Sequence, residues 1–307
     1  MSISRKIRQA VLLLAHGSPD SVEQIPEFLS KVTGGRPLPL AVVEEVKHRY
    51  TKVGCSPLTS LTLKQGELLS QRLRIPVYVG MRNWHPLVAD TLARMNADGV
   101  TNVSVICMAP QNSRTSVGLY RNSLRGADCH MKFDFVESWH DQPRLIQSFA
   151  ENLRAGLTAA EKEYGKVPPV IFTAHSVPQR TILEGDPYED QAKDTAYLVA
   201  AAAGLDRSAW KFAFQSQGMS GGTWIGPTVE QAILQLKAAG NDGVFLQPVG
   251  FLCDNIEILY DIDIGFKAFA EAQGMRLWRA ESLNTSPLLT EALAEIVHSR
   301  TSVPVAN

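Results

Sequence analysis

Short runs of apolar and β-branched residues, each stopped by a turn residue and separated from the next by a helical segment, constrain this chain more than any other feature. Residues 11–14, 77–79, 103–108, 170–173, 211–214 and 243–247 have the length and composition of strands buried on both faces. Between them, segments 57–73, 87–97, 143–164, 190–203 and 228–239 repeat apolar residues at helical spacing. Strand and helix in alternation give parallel sheets, because a parallel neighbour needs a crossover and the helix supplies it. The predicted class is therefore α/β, with helices on both faces of the sheets. A chain of 307 residues is long enough for two such units. The polar stretch 164–169 is the candidate linker, with a boundary as early as 139–143, and the predicted division is 1–142 and 143–307.

An internal echo supports two halves of one design. Ala15-His16-Gly17-Ser18-Pro19 closes the first strand, and Ala174-His175-Ser176-Val177-Pro178 closes the first strand of the second half. Gly80-Met81 then leads to Trp84-His85-Pro86 before a helix, as Gly218-Met219 leads to Trp224-Ile225-Gly226-Pro227 before another. The run 105–110, ending Ala109-Pro110, is matched by 244–248, ending Gln247-Pro248. Proline at a strand end is ordinary punctuation, so the weight lies in the matches falling in the same order. They predict two similar doubly wound, Rossmann-like lobes whose strand ends, carrying His16 and His175, look into one shared cleft.

Charge narrows the partners. Thirty basic residues against thirty-one acidic ones leave a net charge of -1, so no global field draws the chain to nucleic acid or an anionic membrane. The apolar run 11–15 is too short for a signal-peptide core, and the weakly polar stretch 196–205 falls well short of a membrane span. Cys55, Cys107, Cys129 and Cys253 are scattered without C-x-x-C spacing, which fits reduced thiols and neither a zinc knuckle nor a disulfide framework. These features predict a cytoplasmic protein without an integral membrane segment.

Chemistry gathers at the strand ends. In open α/β sheets ligands bind outside the carboxyl ends of the strands, where His175 would offer a ring nitrogen to a proton or a metal. A lone histidine there is also met satisfied by its own backbone. Ser176 lacks the G-x-S-x-G setting of a nucleophile elbow, and Gly218-Met219-Ser220-Gly221-Gly222 has neither a P-loop lysine nor dinucleotide spacing, so it reads as a flexible loop beside the cleft. After the strand at 243–247, Asp254 or Asn255 can cap a helix on which Glu257, Asp261 and Gly265 share one face. Acids near a helix start also occur as a solvated face. Opposite a histidine, they become proton acceptors or ligands for a divalent metal.

Taken in sequence, Ala174-His175-Ser176-Val177-Pro178, Gly185-Asp186-Pro187-Tyr188, Trp224-Ile225-Gly226-Pro227 and Pro248-Val249-Gly250-Phe251, with Asp254, Glu257 and Leu259-Tyr260-Asp261, resemble the ferrochelatase family. Gly17-Ser18-Pro19, Gly35-Arg36, Arg49-Tyr50 and Ser56-Pro57-Leu58 follow the family's order in the first half, so the resemblance covers nearly the whole chain. The short form, without a C-terminal extension or a long apolar lip, is most similar to the soluble coproporphyrin III ferrochelatases. The resemblance implies insertion of Fe(II) into a porphyrin in haem biosynthesis, coproporphyrin III ahead of protoporphyrin IX, with release of two pyrrole protons. It implies His175 and Glu257 as catalytic residues and metal ligands, and His16 on the opposite face of the macrocycle, where the coproporphyrin branch commonly has tyrosine. It implies Arg49, Tyr50, Ser56, Tyr120 and Trp224 as further porphyrin contacts and Asp261 as a candidate secondary metal ligand.

The departures carry consequences. Gly265 stands where an acid usually completes the carboxylate ladder, which weakens that secondary site, and Asn255 replaces a frequent histidine. Thr33 and Gly34 fall where the soluble branch often has arginines, leaving Arg36 as the nearest cation. The resemblance further implies Fe(II) as substrate and no organic cofactor, and the lack of clustered cysteines near the C-terminus argues against an iron–sulfur cluster. Porphyrin and Fe(II) are the expected partners, with transient contact to enzymes that supply porphyrin or receive haem. Two other readings stay open: a chelatase for cobalt or nickel, since ligand type biases metal choice without fixing it, and a non-catalytic two-lobed haem or porphyrin binder.

Overall fold

Among the described residues, eight strands divide into two four-stranded parallel sheets of identical topology. In the first, β1 (Gln9–Ala15), β2 (Val77–Met81), β3 (Asn102–Cys107) and β4 (Lys132–Val136) lie in the order β2-β1-β3-β4. In the second, β5 (Val170–His175), β6 (Trp210–Gln215), β7 (Gly243–Pro248) and β8 (Arg276–Arg279) lie in the order β6-β5-β7-β8. The computed structural model describes residues 9–125, 130–217 and 222–300. Residues 1–8, Cys129 and Gly218-Met219-Ser220-Gly221 of the glycine-rich loop lie outside them. Among the described residues no helix is long and apolar enough to cross a membrane.

The echo seen in the sequence is a structural repeat. The Met81 N–H donates to the Pro86 carbonyl at 2.7 Å, and the Phe214 N–H donates to the Pro227 carbonyl at 2.8 Å, so the same turn closes β2 and β6. In each sheet the strand order reverses beside the first strand, β1 or β5, which is where an open α/β sheet forms its ligand crevice. His16 follows β1 and His175 ends β5, so both histidines stand at such a point.

Edge strands β4 and β8 did not stand out among the apolar runs. Lys132-Phe133-Asp134-Phe135-Val136 and Arg276-Leu277-Trp278-Arg279 mix charged and apolar residues because these two edges are more exposed than the opposite edges, β2 and β6.

One core joins the lobes. Val11, Leu13, Val79 and Ile106 of the first sheet share an apolar cluster with Val170, Phe172 and Phe245 of the second. Helix Pro143–Tyr164 supplies Leu145, Phe149, Leu153 and Leu157 to that cluster, and helix Pro287–Arg300 adds Leu289, Leu293 and Val297. Alternate residues of β1, Ala10, Leu12 and Leu14, face the opposite way into a cluster with Leu92 and Met95. Both faces of the strand are buried, and this produces its unbroken apolar sequence.

Gly156 shows how closely the long helix lies on the second sheet. A Cβ at that position would stand 2.5 Å from Cζ of Phe245, whose ring is fully buried. Gly156→Ala gains about 0.8–1.0 kcal/mol of helix propensity, but overpacking a tight core costs about 1–3 kcal/mol. The expected outcome is net destabilisation, read as a lower urea midpoint at unchanged m-value; a midpoint equal to or above the wild type would show that the helix is not pinned there.

Candidate active site

His175 is held from several sides. Its Nδ1 faces the Ser176 carbonyl at 2.5 Å, and its Nε2 lies 3.0 Å from Glu257 Oε1. The Tyr188 hydroxyl donates to the His175 carbonyl at 2.9 Å, fixing the backbone on which the ring is carried. With an acceptor at each nitrogen, the ring is satisfied as an imidazolium beside a carboxylate. Burial alone would lower its pKa, but the charge and hydrogen bond of Glu257, with the Ser176 carbonyl, outweigh it and push the group up to about 9. Burial would raise Glu257, but the neighbouring His175 charge and hydrogen bond hold its carboxyl below the ordinary range. The two side chains remain 35% and 34% exposed, so a ligand in the cleft can reach them.

Glu257 opens a helix, Glu257–Phe266, with π geometry, in which the Lys267 N–H reaches back five residues to the Ile262 carbonyl. Such helices are rare and occur mostly at functional sites. Asn255 caps it, its Oδ1 accepting from the N–H groups of Glu257 at 2.9 Å and Ile258 at 3.0 Å. Asp254 is occupied elsewhere, by Ser282, Asn284 and Arg279. Ile258, Ile262 and Phe266 bury the other side of this helix against Ile171, Ala213 and Leu246, aiming Glu257 at the end of β5.

His16 repeats the local pattern of His175 but not its charge. Its Nδ1 lies 3.0 Å from the Gly17 carbonyl, and its ring meets Phe28 edge-on at 5.8 Å. Burial lowers its pKa, the Arg82 and His175 charges act in the same direction, and the Gly17 carbonyl and Glu257 only partly oppose them. His16 is therefore neutral at pH 7, with Nδ1–H donated to Gly17 and a lone pair on Nε2. Gly17 itself has φ +80° and no room for a Cβ, which would lie 2.8 Å from Trp84 Cβ.

The remaining residues expected at the site fall into groups. Asp261 accepts from the Ser216 hydroxyl and lies 3.4 Å from Arg49 Nη1, and burial raises its carboxyl above the ordinary range. Arg49 is already engaged: its Nε is 2.9 Å from Glu45, and its guanidinium lies 5.0 Å from the centre of the Tyr260 ring. Tyr50 is buried with Phe28 and Trp84, where desolvation pushes its phenol up. Ser56 is nearly buried, its carbonyl accepting from Ser18, two residues beyond His16. Tyr120 is buried in the first lobe with the Arg82 guanidinium 6.0 Å from its ring centre. The Trp224 ring lies 6.5 Å from that of His175. Arg36 is exposed and donates from Nε to the Thr33 carbonyl. Among the described residues no three His, Cys, Asp or Glu side chains form a metal-holding group, so Asp261 joins no such cluster.

Sequence reasoning missed Arg82 and Ser216, and it quoted Tyr188 only as part of a motif, without a role. Arg82 and Ser216 follow directly on β2 and β6, so the strand-end rule that found His175 also points to them. A cavity of about 550 Å³ lies elsewhere, beside the free edge of β6 between Lys193, Arg207, Trp210 and Gln235, with no acid or histidine in its lining.

A ferrochelatase family profile matches residues 8–301. The chain is 54% identical over 308 residues to a ferrochelatase of Acidobacterium capsulatum, spanning 95% of this chain and 94% of that one. It is 33% identical over 302 residues to a coproporphyrin III ferrochelatase of Geobacillus kaustophilus, spanning 94% and 95% respectively. In fold it is similar to the crystal structure of the sirohydrochlorin chelatase SirB of Bacillus subtilis subspecies spizizenii in complex with cobalt, with a TM-score of 0.53 and 9% identity over 95% of this chain and 94% of that one. The architecture is that of the two-lobed chelatases. The chain belongs to the ferrochelatase family, and its reaction is insertion of ferrous iron into a porphyrin in haem synthesis.

The pKa assignment has a direct check. In a proton NMR titration His175 should change charge near pH 9, well above the ordinary value of about 6.5. In Glu257→Gln the attraction of Glu257 is gone while burial, the Ser176 carbonyl and Asp261 remain, so the midpoint should fall from the wild-type value. An unchanged midpoint would mean that Glu257 does not set the charge of His175.

Proposed function

We propose that the cleft takes coproporphyrin III, and that His175 and Glu257 are the catalytic pair and the metal ligands on one face of the macrocycle, with His16 on the other. Insertion removes two pyrrole protons and strips water from the metal. The neutral His16 offers its Nε2 lone pair to iron directly. His175 offers its own only after its Nε2 proton has passed to Glu257, so that pair holds and moves a proton between two fixed atoms 3.0 Å apart. Tyr50, Ser56, Tyr120, Trp224 and Arg49 are the proposed porphyrin contacts, and Asp261 is retained as a weak secondary metal ligand. Fe(II) is a substrate, and we expect neither an organic cofactor nor an iron–sulfur cluster. We place the reaction in the cytoplasm, with the division between lobes at 142/143.

The observation that carries the choice of porphyrin is Arg82. Its guanidinium is half-buried near His16 and Tyr120, with no acidic partner among the described residues. Such a cation suits a propionate, and coproporphyrin presents four of them against two on protoporphyrin. Similarity to coproporphyrin III ferrochelatases at about one-third identity supports the same reading. Arg49 must first release Glu45 and Asp261 to serve, so it should contribute less.

A lost charge-assisted hydrogen bond costs about 1.5–3 kcal/mol, roughly one to two decades in affinity. Arg82→Ala should weaken coproporphyrin III binding by that order and Arg49→Ala by less, both measured by fluorescence titration. Protoporphyrin IX should bind the wild type less well and lose less on either substitution. If the wild type metallates protoporphyrin faster and Arg82→Ala leaves coproporphyrin affinity unchanged, protoporphyrin is the substrate.

A further inference from the structure

Gln215 is 2% exposed, yet neither its Nε2 nor its Oε1 has a hydrogen-bond partner, and the fully buried Thr173 hydroxyl is likewise unpartnered. Buried amides and hydroxyls left unpaired are rare, and where they cluster they mark a place that ordered water fills. These two are on one face. Gln215 pairs in register with His175 across the β5–β6 ladder, and Thr173 lies two residues before His175. Ladder partners in a parallel sheet, and residues two apart on a strand, point the same way. That face is covered by helix Glu257–Phe266, because Ile171 and Ala213 of the same rows pack on Ile258 and Ile262.

Ser216 completes the arrangement. In an extended strand it would point away from Gln215, but its φ of +58° breaks the alternation, and its hydroxyl donates to Asp261 on the same helix. Gln215 is therefore flanked by contacts to both acids. Its ladder partner His175 holds Glu257, and its chain neighbour Ser216 holds Asp261.

We propose that Gln215 and Thr173 hold ordered water behind the His175–Glu257 pair, and that this water carries the displaced pyrrole protons toward Asp261. Water can accept from Nε2 and the threonine hydroxyl while donating to Oε1, and it keeps a second O–H for the next acceptor. Each pyrrole N–H breaks with its electron pair left on nitrogen, which forms the bond to iron. The two protons leave through Glu257 and the water to solvent, and iron stays ferrous throughout. Gln215 is a positioning residue in this account, which rests on the role given to His175 and Glu257 above.

Gln215→Leu removes both amide atoms at similar volume, while Gln215→Glu keeps a group that binds water. With Fe(II) and coproporphyrin III under anaerobic conditions, Gln215→Leu should lower kcat by about tenfold or more, with KM for porphyrin unchanged. Its rate should fall further in D2O than the wild type's does, and Gln215→Glu should restore most of kcat. A crystal structure of the wild type should show water bonded to the Gln215 amide, and that of Gln215→Leu should lack it. Wild-type kcat in Gln215→Leu, an unchanged solvent isotope effect, or an amide without bound water would each overturn the proposal. A wild type that binds water at Gln215 while His175→Ala and Glu257→Gln insert iron at the wild-type rate would instead overturn the role of the His175–Glu257 pair.

Discussion

The apolar core shared by the two sheets is what every other feature depends on. Phe172 and Phe245 of the second sheet and Leu13 and Ile106 of the first sink into one cluster with Phe149, Leu153, Leu289 and Leu293. Burying side chains of this kind stabilises by about 1.5–3 kcal/mol each, far more than surface ion pairs such as Arg72–Glu291, worth about 0–1 kcal/mol. Helix Pro287–Arg300 belongs to the second half of the chain but packs on helix Leu58–Leu73 and β3 of the first. The lobes are thus held by a core and not by a flexible joint. Two repeats of one topology, fixed in this way, bring two strand-end histidines to a common cleft.

The repeats then diverge in charge. Each histidine turns Nδ1 toward the carbonyl of the next residue, which presents Nε2 outward. Among the described residues, only the second lobe places a carboxylate within hydrogen-bond reach of that nitrogen. Glu257 makes His175 a cation at neutral pH, while Arg82 and burial keep His16 neutral. In the proposed reaction an approaching metal ion would meet a ready lone pair on one side and, on the other, a pair that must shift a proton before its nitrogen is available. This asymmetry suits a reaction in which a cation arrives and two protons depart.

Much of this was legible in the sequence, and the parts that were not have physical reasons. The four inner strands β1, β3, β5 and β7 and the edge strand β2 showed as apolar runs because they are largely buried, and β6 showed through its buried second half; the edge strands β4 and β8 mix charged and apolar residues because much of each is exposed. His175 stood out because it ends an apolar run, and Glu257 because it shares a helix face with Asp261 after the strand at 243–247. The π geometry of helix Glu257–Phe266 left no signal, since residues four apart share a face in either kind of helix. The raised pKa of His175 could not be read either: it depends on a 3.0 Å contact between residues 82 positions apart in the chain, 257 − 175. Arg49 looked like a free cation for a carboxylate although Glu45 stands one helical turn before it, and its second partner, Asp261, lies far along the chain.

The central claim is that iron enters the macrocycle at His175. The most direct measurement is the anaerobic rate at which the porphyrin absorption spectrum converts to that of the iron complex, compared between wild type and His175→Ala with circular dichroism confirming the fold. The account predicts conversion by the wild type and none above the uncatalysed rate in the folded variant. Conversion at a near-wild-type rate in His175→Ala would contradict it.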